Sequence, residues 1–167
     1  MNEHIILKQS IFSKTFEGNL DIINKHISHI KEFDEGKVFS NKGGYHSNNI
    51  TFGFYELLES VQEGFKELNI NPRLQNFWLN INKGSDSNRI HTHPDSHWSV
   101  VYYHKVCCEN SPLVFSSHVP LIHEATSAYN PLPQQIIYFP GWYPHSVEAC
   151  NQANHERISI AFNFKNI

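Results

Sequence analysis

The chain has 167 residues, which is enough for one domain with a proper hydrophobic core and too few for two ordinary domains. Its hydrophobic fraction of 40%, aromatic fraction of 13% and charged fraction of 17% are typical of a globular, sheet-rich protein and exclude a disordered chain or a coiled coil. The formal net charge of −3, without a basic run, gives no evident surface for nucleic acid or for an anionic membrane. We therefore predict a single domain over residues 1–167 with one functional site.

Targeting signals and cysteine content indicate the cellular location of a protein. The sequence has no segment that reads as a signal peptide and none that approaches membrane-spanning length. Cys107, Cys108 and Cys150 are odd in number and two of them are adjacent, so they form neither a disulfide framework nor a Cys-x-x-Cys motif. We predict free thiols in a reducing compartment, a cytoplasmic location and no membrane partner.

The first part of the chain has the period of amphipathic helices. Apolar residues at steps of three and four predict one helix over 19–33, with Asn19 as its cap, and a second from Phe54 to Leu68. Asn71-Pro72 ends the second helix. The stretch Ser40–Asn48 between them is rich in turn-forming residues and is predicted to be a loop. Residues 1–72 are thus interpreted as a helical support region.

After Pro72 the hydrophobic period changes from about 3.6 to about 2, as expected for strands. The β-branched and aromatic runs are separated by Gly, Pro, Asn and Ser, and they cover Asn76–Asn82, Trp98–His104, Pro112–Ser116, Gln135–Phe139 and Glu156–Phe164. Helices first and strands second predict a mainly β (α+β) domain, in which residues 73–167 form an antiparallel β-barrel core, a sandwich or jelly roll. The helices are expected to pack on one of its sheets.

Two histidines and an aspartate could form a metal site in this barrel. His93 and Asp95 are two residues apart, so on an extended segment both side chains would point to the same face and bind one ion. His145 would come from a strand across the barrel. Two imidazoles and a carboxylate leave coordination positions open, which is typical of non-heme Fe(II) oxygenases and not of structural zinc. His93, Asp95 and His145 are therefore the predicted metal ligands and catalytic residues.

An arginine and a serine follow His145 on a predicted strand. The two-residue strand period places Arg157, Ser159, Ala161 and Asn163 on one face of this strand. An arginine that faces the interior of a barrel needs an anion, and a guanidinium beside a hydroxyl receives a carboxylate well. A dicarboxylate such as 2-oxoglutarate could bind the iron with one end and reach Arg157 with the other.

The order and spacing of these residues resemble the 2-oxoglutarate and Fe(II)-dependent oxygenase superfamily, and more narrowly a group of short oxygenase-like proteins from marine bacteria and their phages. The resemblance covers roughly the last two thirds of the chain, in the segments 40–47, 78–80, 91–96, 99–103, 139–145 and 157–164. It implies a double-stranded β-helix, a cupin-like jelly roll, with iron on His93 and His145 and 2-oxoglutarate on Arg157 and Ser159. It also implies a dioxygenase that uses O2 and hydroxylates an unknown substrate, with release of succinate and CO2.

The sequence departs from this family at two positions. Val100 stands where relatives usually have glycine, which predicts a narrower pocket near the metal. At the position of Asp95, relatives often have Asn or Gly, whereas the preceding His-x-His is usual. His91 is therefore an alternative third ligand. Asp95 is favoured because an anionic ligand suits the iron chemistry, and His91 can then serve as a neighbouring or substrate contact.

Weaker candidates surround this set. Tyr102 and Tyr103 project to opposite faces of a strand, so only one of them faces the site; Tyr103 and Asn80 are the further predicted cosubstrate contacts. The remaining histidines of the second half have no spacing that ties them to the site and are predicted to be surface residues: His97, His104, His118, His123 and His155.

Two other functions are consistent with the same residues. One is a cupin-type enzyme that holds its metal with three histidines and does not use 2-oxoglutarate. The other is a non-catalytic metal-binding β-barrel. The sequence does not identify the substrate, which is expected to be a small molecule or a peptide. It also leaves open whether the protein forms a homodimer.

Overall fold

The computed structural model describes residues 10–106, 112–119, 123–150, 152 and 154–167. Within these ranges there are two helices, α1 (Leu20–Phe33) and α2 (Tyr55–Glu67). The strands are β1 (Phe12–Thr15), β2 (Asn41–Lys42), β3 (Tyr45–His46), β4 (Pro72–Lys83), β5 (Ser87–His91), β6 (Trp98–Lys105), β7 (Leu113–Val119), β8 (His123–Tyr129), β9 (Gln135–Pro140), β10 (His145–Val147) and β11 (Glu156–Asn166).

The strands form two antiparallel sheets. A six-stranded sheet has the order β1-β9-β6-β11-β4-β3, and a five-stranded sheet has the order β2-β5-β10-β7-β8. Strand β11 is central in the larger sheet, between β4 and β6. Strand β10 is central in the smaller sheet, between β5 and β7. The mainly β, jelly-roll architecture predicted from the sequence is confirmed.

Both predicted helices are present and pack on the six-stranded sheet. The side-chain oxygen of Asn19 accepts hydrogen bonds from the backbone N–H groups of Asp21 and Ile22, so Asn19 caps α1 as expected. The helices bury one apolar stripe each, Ile23, Ile27 and Ile30 on α1 and Leu57, Val61 and Phe65 on α2. Each such side chain contributes about 1.5–3 kcal/mol on burial, which holds the helices to the sheet. Neither helix of the described chain has the length and apolar composition needed to cross a membrane.

The two faces of the six-stranded sheet have different roles. Its outer face carries residues such as Leu79, Tyr102, Ile160 and Phe162, which form the main core with the helices. The inner face turns toward the five-stranded sheet, and a smaller apolar cluster fills one part of the space there: Tyr103, Leu113, Phe115, Ile137, Phe139 and Tyr143. The rest of this face carries several polar residues, among them Asn80, Asn82, Arg157, Ser159 and Asn163. Because side chains alternate along β11, every second residue of this strand packs in the helix-side core and the residues between them face the space between the two sheets.

Several strands were not predicted. Strands β1, β5 and β8 carry many polar residues or are only a few residues long, so they lack a strong two-residue period. The predicted loop 40–48 contains the two-residue strands β2 and β3, which join different sheets. The first 72 residues therefore contribute strands as well as helices, and the division at residue 73 stays a prediction. Cys107, Cys108 and the side chains of His118 and His123 lie outside the described residues.

Candidate active site

Three histidines come together on the five-stranded sheet. His91 ends β5, His93 follows in the adjoining loop, and His145 begins β10 directly opposite His91 in the strand register. One ring nitrogen from each histidine lies within 4.8 Å of those of the other two. The ring centroids are 4.3 Å apart for His91 and His145, 5.1 Å for His91 and His93, and 5.2 Å for His93 and His145. This spacing allows the three rings to bind one metal ion.

Backbone carbonyls orient two of these rings. His91 Nδ1 lies 2.7 Å from the carbonyl oxygen of Arg89, and His145 Nδ1 lies 2.8 Å from that of Tyr143. A carbonyl oxygen only accepts, so each Nδ1 is the N–H donor and each Nε2 keeps its lone pair. An imidazole held in this way is ready to bind a metal through Nε2.

The three histidines are neutral because they are removed from water. Burial, with a smaller effect from the neighbouring His91, lowers the pKa of His145 to about 3. Burial also lowers the pKa of His93 to about 4, with smaller effects from His91 and His46. The pKa of His91 is lowered as well, again by burial. Neutral imidazole is the form that binds metals, so no proton has to be displaced at pH 7.

The structure does not bring Asp95 to these histidines. The segment after His93 is a turn, in which the carbonyl of His93 accepts a hydrogen bond from the N–H of Ser96 at 3.0 Å. Asp95 lies in this turn with an exposed side chain. Among the described residues the metal-binding group contains no carboxylate. The extended conformation expected for His93 to Asp95 is therefore not found, which removes the reason for their sharing a face.

The loop that carries His93 is fixed to the β9–β10 corner. The N–H of His93 donates to the carbonyl of Gly141 at 2.7 Å, and the N–H of Gly141 donates to the carbonyl of His97 at 3.0 Å. A Cβ atom at Gly141 would collide with the carbonyl of Ser96, so only glycine permits this approach. The same corner leads into His145, and it therefore sets the two histidines relative to each other.

The six-stranded sheet supplies the opposite wall. Arg157 and Ser159 lie on β11, opposite Asn82 and Asn80 of β4 in the register, and Ser159 also lies opposite Tyr103 of β6. The predicted inward face of β11 is thus found. A cavity joins this wall to the three histidines, and its lining includes every predicted site residue except Asp95: His91, His93, His145, Arg157, Ser159, Tyr103 and Asn80.

Arg157 is buried without an ionic partner among the described residues. Only 2% of its surface is exposed, and its Nε and Nη1 atoms have no hydrogen-bond partner. Its Cζ atom lies 5.7 Å from the centre of the Tyr103 ring. A buried guanidinium with unused donors is costly unless an anion binds to it. Arg157 thus has unused donors on the wall that faces the histidines.

The remaining candidates divide between the two faces of the sheet. Tyr103 lines the cavity, and burial raises the pKa of its phenol to about 12, so it stays a neutral hydrogen-bond donor. Tyr102 belongs to the helix-side core. Val100 packs into that core and is also among the residues that line the cavity, so the narrower pocket stays a prediction. The amide oxygen of Asn80 is buried without a partner.

Sequence reasoning gave no role to several residues around the histidines. His46 stacks on Trp78, and Trp78 lies 5.7 Å from His93. Ser40 and Asn88 also line the cavity, where Asn88 donates to the Ser40 hydroxyl. Trp78 could have been found, because it shares a strand face with Asn80. Ser40 and His46 lie in the segment 40–47 that resembles the oxygenase superfamily, which is a signal that could have pointed to them. Asn88 lies outside those segments and could not have been found, since the polar strand β5 brings it in.

Comparisons with known proteins agree with this geometry. Residues 76–163 match the family model described as "Putative 2OG-Fe(II) oxygenase". No curated protein is significantly similar in sequence. These matched residues, 88 of the 167, include all the candidate site residues.

The fold is similar to those of several solved oxygenases. A prolyl-4-hydroxylase from Pseudomonas putida is 14% identical with a TM-score of 0.64, over 95% of this chain and 94% of that chain. The viral collagen prolyl hydroxylase of Paramecium bursaria Chlorella virus-1 is 12% identical with a TM-score of 0.62, over 94% and 96%. The epimerase SnoN from nogalamycin biosynthesis is 8% identical with a TM-score of 0.72, over 95% and 78%.

The metal and the cosubstrate of this family are consistent with the residues of the site. Its members use Fe(II), 2-oxoglutarate and O2. The three histidines suit the metal, and the unpaired Arg157 suits the dicarboxylate. By its sequence match and its fold, the chain belongs to the 2-oxoglutarate and Fe(II)-dependent oxygenases.

Proposed function

We propose that this oxygenase binds Fe(II) through His91, His93 and His145 and holds 2-oxoglutarate through Arg157. Ser159, Tyr103 and Asn80 complete the cosubstrate site in this proposal. The observation that carries it is the buried Arg157, whose Nε and Nη1 lack partners and which lines the same cavity as the three histidines. A dicarboxylate that spans from the metal to Arg157 removes the cost of that unpaired charge.

The ligand set of three histidines is preferred to the set with Asp95. His91 faces His145 across two paired strands, and its Nδ1 is already occupied by a carbonyl, which leaves Nε2 for the metal. Asp95 would reach the same metal only if the turn after His93 opened. The hydrogen bond from Ser96 to the His93 carbonyl opposes that change.

The chain's own residues bind and orient the reactants. Arg157 donates to the far carboxylate of 2-oxoglutarate, and the neutral phenol of Tyr103 and the hydroxyl of Ser159 are further donors nearby. The apolar cluster beside the cavity, which includes Phe115 and Phe139, limits the access of water. When bound, the iron and 2-oxoglutarate supply the oxidising power that hydroxylates a substrate C–H bond, with release of succinate and CO2.

The cupin-type alternative, a three-histidine enzyme without 2-oxoglutarate, uses the same metal ligands. It is distinguished by Arg157, because such an enzyme has no need of a buried guanidinium in reach of the metal cavity. The non-catalytic barrel would need a metal shell closed by four protein ligands. Among the described residues, the group of histidines and acidic residues able to hold one ion has three members.

An anaerobic titration tests the proposal. Apo-protein is titrated with Fe(II) and then with 2-oxoglutarate, and the visible metal-to-ligand charge-transfer band is recorded. The band is expected with the native protein and with Asp95→Ala, and it should be lost with His91→Ala. A band that is lost with Asp95→Ala and kept with His91→Ala would favour the ligand set with Asp95. No band with the native protein would favour the alternative that does not use 2-oxoglutarate.

Three further proposals concern the class of substrate, the cellular location and the oligomeric state. We propose a small-molecule or peptide substrate, with no nucleic-acid surface, because the cavity opens beside His91 and His93 and the chain has no basic run. A cytoplasmic location suits Fe(II) and the buried thiol of Cys150. A homodimer stays a proposal that sedimentation of the purified protein tests.

A further inference from the structure

A second, outer cavity of about 230 Å³ lies next to the metal site. His91, His93 and Trp78 line both cavities, whereas Arg157 and Ser159 line only the inner one. A molecule in the outer cavity would therefore contact the metal-binding histidines without occupying the proposed 2-oxoglutarate site. This is the position that a substrate has to take.

One wall of the outer cavity is aromatic. The rings of His46 and Trp78 are nearly parallel, with centroids 5.5 Å apart and an interplanar angle of 8°. Phe39 extends this wall, with its ring 6.1 Å from that of His46. Phe39 is 76% exposed, so its ring is available at the mouth of the cavity. Aromatic faces in this arrangement favour a flat, π-rich ligand.

A single lysine gives the mouth a positive charge. Lys37 Nζ lies 5.8 Å from the centre of the Phe39 ring, and Lys37 forms no ion pair with any residue that the structure describes. Among the described residues, none that lines the outer cavity carries a carboxylate. His46 adds no charge at pH 7, because burial lowers its pKa. An anionic group on the ligand would find its counter-charge at Lys37.

The backbone holds these mouth residues in place. The N–H of Lys37 donates to the carbonyl of His46 at 2.7 Å, and the N–H of Phe39 donates to the side-chain oxygen of Asn41 at 2.7 Å. Asn41 is itself buried. The segment with the charge and the exposed ring is thus attached to β2 and β3 and is part of the cavity wall.

The inner end of the outer cavity has an unused acceptor. The side-chain oxygen of Asn76 on β4 is buried and has no hydrogen-bond partner. Asn76 lies opposite Asn163 in the register, and both residues line the outer cavity. A buried acceptor without a donor is unfavourable, so a ligand with an N–H or O–H group is stabilised there.

We propose that the outer cavity is the substrate site and that it takes a planar, anionic ring compound with an N–H or O–H donor. The ring packs on the part of the aromatic wall that the stacked His46 and Trp78 leave open to the cavity, the anionic group faces Lys37, and the donor reaches Asn76. The identification of this cavity as a substrate site rests on the proposed oxygenase function. The binding chemistry of the cavity does not, and it can be measured without turnover.

Indole-3-carboxylate is a suitable test ligand, because it combines a flat ring, a carboxylate and an N–H group. Two analogues each remove one feature: 1-methylindole-3-carboxylate lacks the donor, and indole-3-carboxamide lacks the charge. A third, cyclohexanecarboxylate, keeps the charge and lacks both the planar ring and the donor. Binding is measured by calorimetry, under anaerobic conditions, with the Fe(II)-loaded protein and excess 2-oxoglutarate and again with the metal-free protein. We expect indole-3-carboxylate to bind more tightly than each analogue, and 2-oxoglutarate not to displace it.

Two variants assign the contacts. Lys37→Gln should weaken the binding of indole-3-carboxylate by about five-fold, as expected for the loss of one partly exposed charge pair. The binding of indole-3-carboxamide should stay the same. Asn76→Leu should weaken the binding of indole-3-carboxylate and leave the binding of 1-methylindole-3-carboxylate unchanged. Lys42→Gln is the matched control, because Lys42 is exposed on β2 and does not line the cavity.

The proposal is overturned if indole-3-carboxylate binds more weakly than about 1 mM, or if all four compounds bind alike. Displacement by 2-oxoglutarate would also overturn it, because the ligand would then occupy the Arg157 site. If indole-3-carboxylate binds as expected but no charge-transfer band appears with Fe(II) and 2-oxoglutarate, the proposed function fails and the binding site stands. If the band appears and indole-3-carboxylate does not bind, only the substrate inference fails.

Discussion

His91 and His145 lie directly opposite each other on two neighbouring antiparallel strands, β5 and β10, and their ring centroids are 4.3 Å apart. Pairing of the strands places the two rings side by side on one face of the sheet. His93 completes the group from the loop that follows β5. The position of the proposed metal is therefore set by strand register in the five-stranded sheet.

The first prediction concerns the third metal ligand. His91→Ala removes one of the three ring nitrogens and should weaken Fe(II) binding by at least about 100-fold, since loss even of residues that only support metal ligands costs 10- to 100-fold. Asp95→Ala should bind Fe(II) as the native protein does, because Asp95 is exposed in a turn. Anaerobic calorimetry with Fe(II) measures both variants. Weaker binding in Asp95→Ala alone would instead assign the third position to Asp95.

The second prediction concerns Arg157. Arg157→Met should weaken the binding of 2-oxoglutarate by at least about ten-fold, because hydrogen bonds to a charged group contribute about 1.5–3 kcal/mol. The same variant should not lower the thermal stability of the ligand-free protein, since the native guanidinium is buried with unused donors. Arg89→Met is the control, because Arg89 is exposed on β5. A large loss of stability with unchanged 2-oxoglutarate binding would assign Arg157 a structural role.

The third prediction concerns pH. The folded-state pKa values of His145 and His93 are about 3 and about 4, below the ordinary value of 6.5. The unfolded chain therefore binds more protons than the folded protein below about pH 6.5, and the free energy of unfolding decreases as the pH falls from there toward 3. Urea unfolding of the metal-free protein between pH 7 and pH 4 measures this loss. His93→Gln should reduce the slope, whereas His97→Gln, at an exposed residue, should leave it as in the native protein.

The fourth prediction concerns the turn between β2 and β3. Gly44 has φ +66°, and a Cβ atom there would lie 2.6 Å from the carbonyl oxygen of Ile81. Gly44→Ala should therefore lower the free energy of unfolding by about 1–3 kcal/mol through backbone strain and this contact. Lys42→Ala, at an exposed neighbour, should change it by less than about 0.5 kcal/mol. Equal urea midpoints for Gly44→Ala and the native protein would contradict the prediction.

Local sequence predicted those elements whose hydrophobic period is long and regular. The helices α1 and α2 and the strands β4, β6, β9 and β11 were predicted because each buries a continuous stripe against one neighbour. The alternation along β11 also predicted that Arg157 and Ser159 share the inward face, and the structure places both on the wall of the cavity. Polar strands such as β5 were missed, because their pairing partners are distant in sequence.

Residue types and their spacing were enough to predict the kind of site: a jelly roll with a His-rich segment, a later histidine and an inward arginine on the last strand. Which of these residues meet depends on contacts between segments that are distant in sequence. The turn at His93 directs Asp95 to solvent, and the register of β5 with β10 sets His91 beside His145. Two-residue spacing fixes a common face only when the backbone is extended, and only long-range hydrogen bonds determine whether it is.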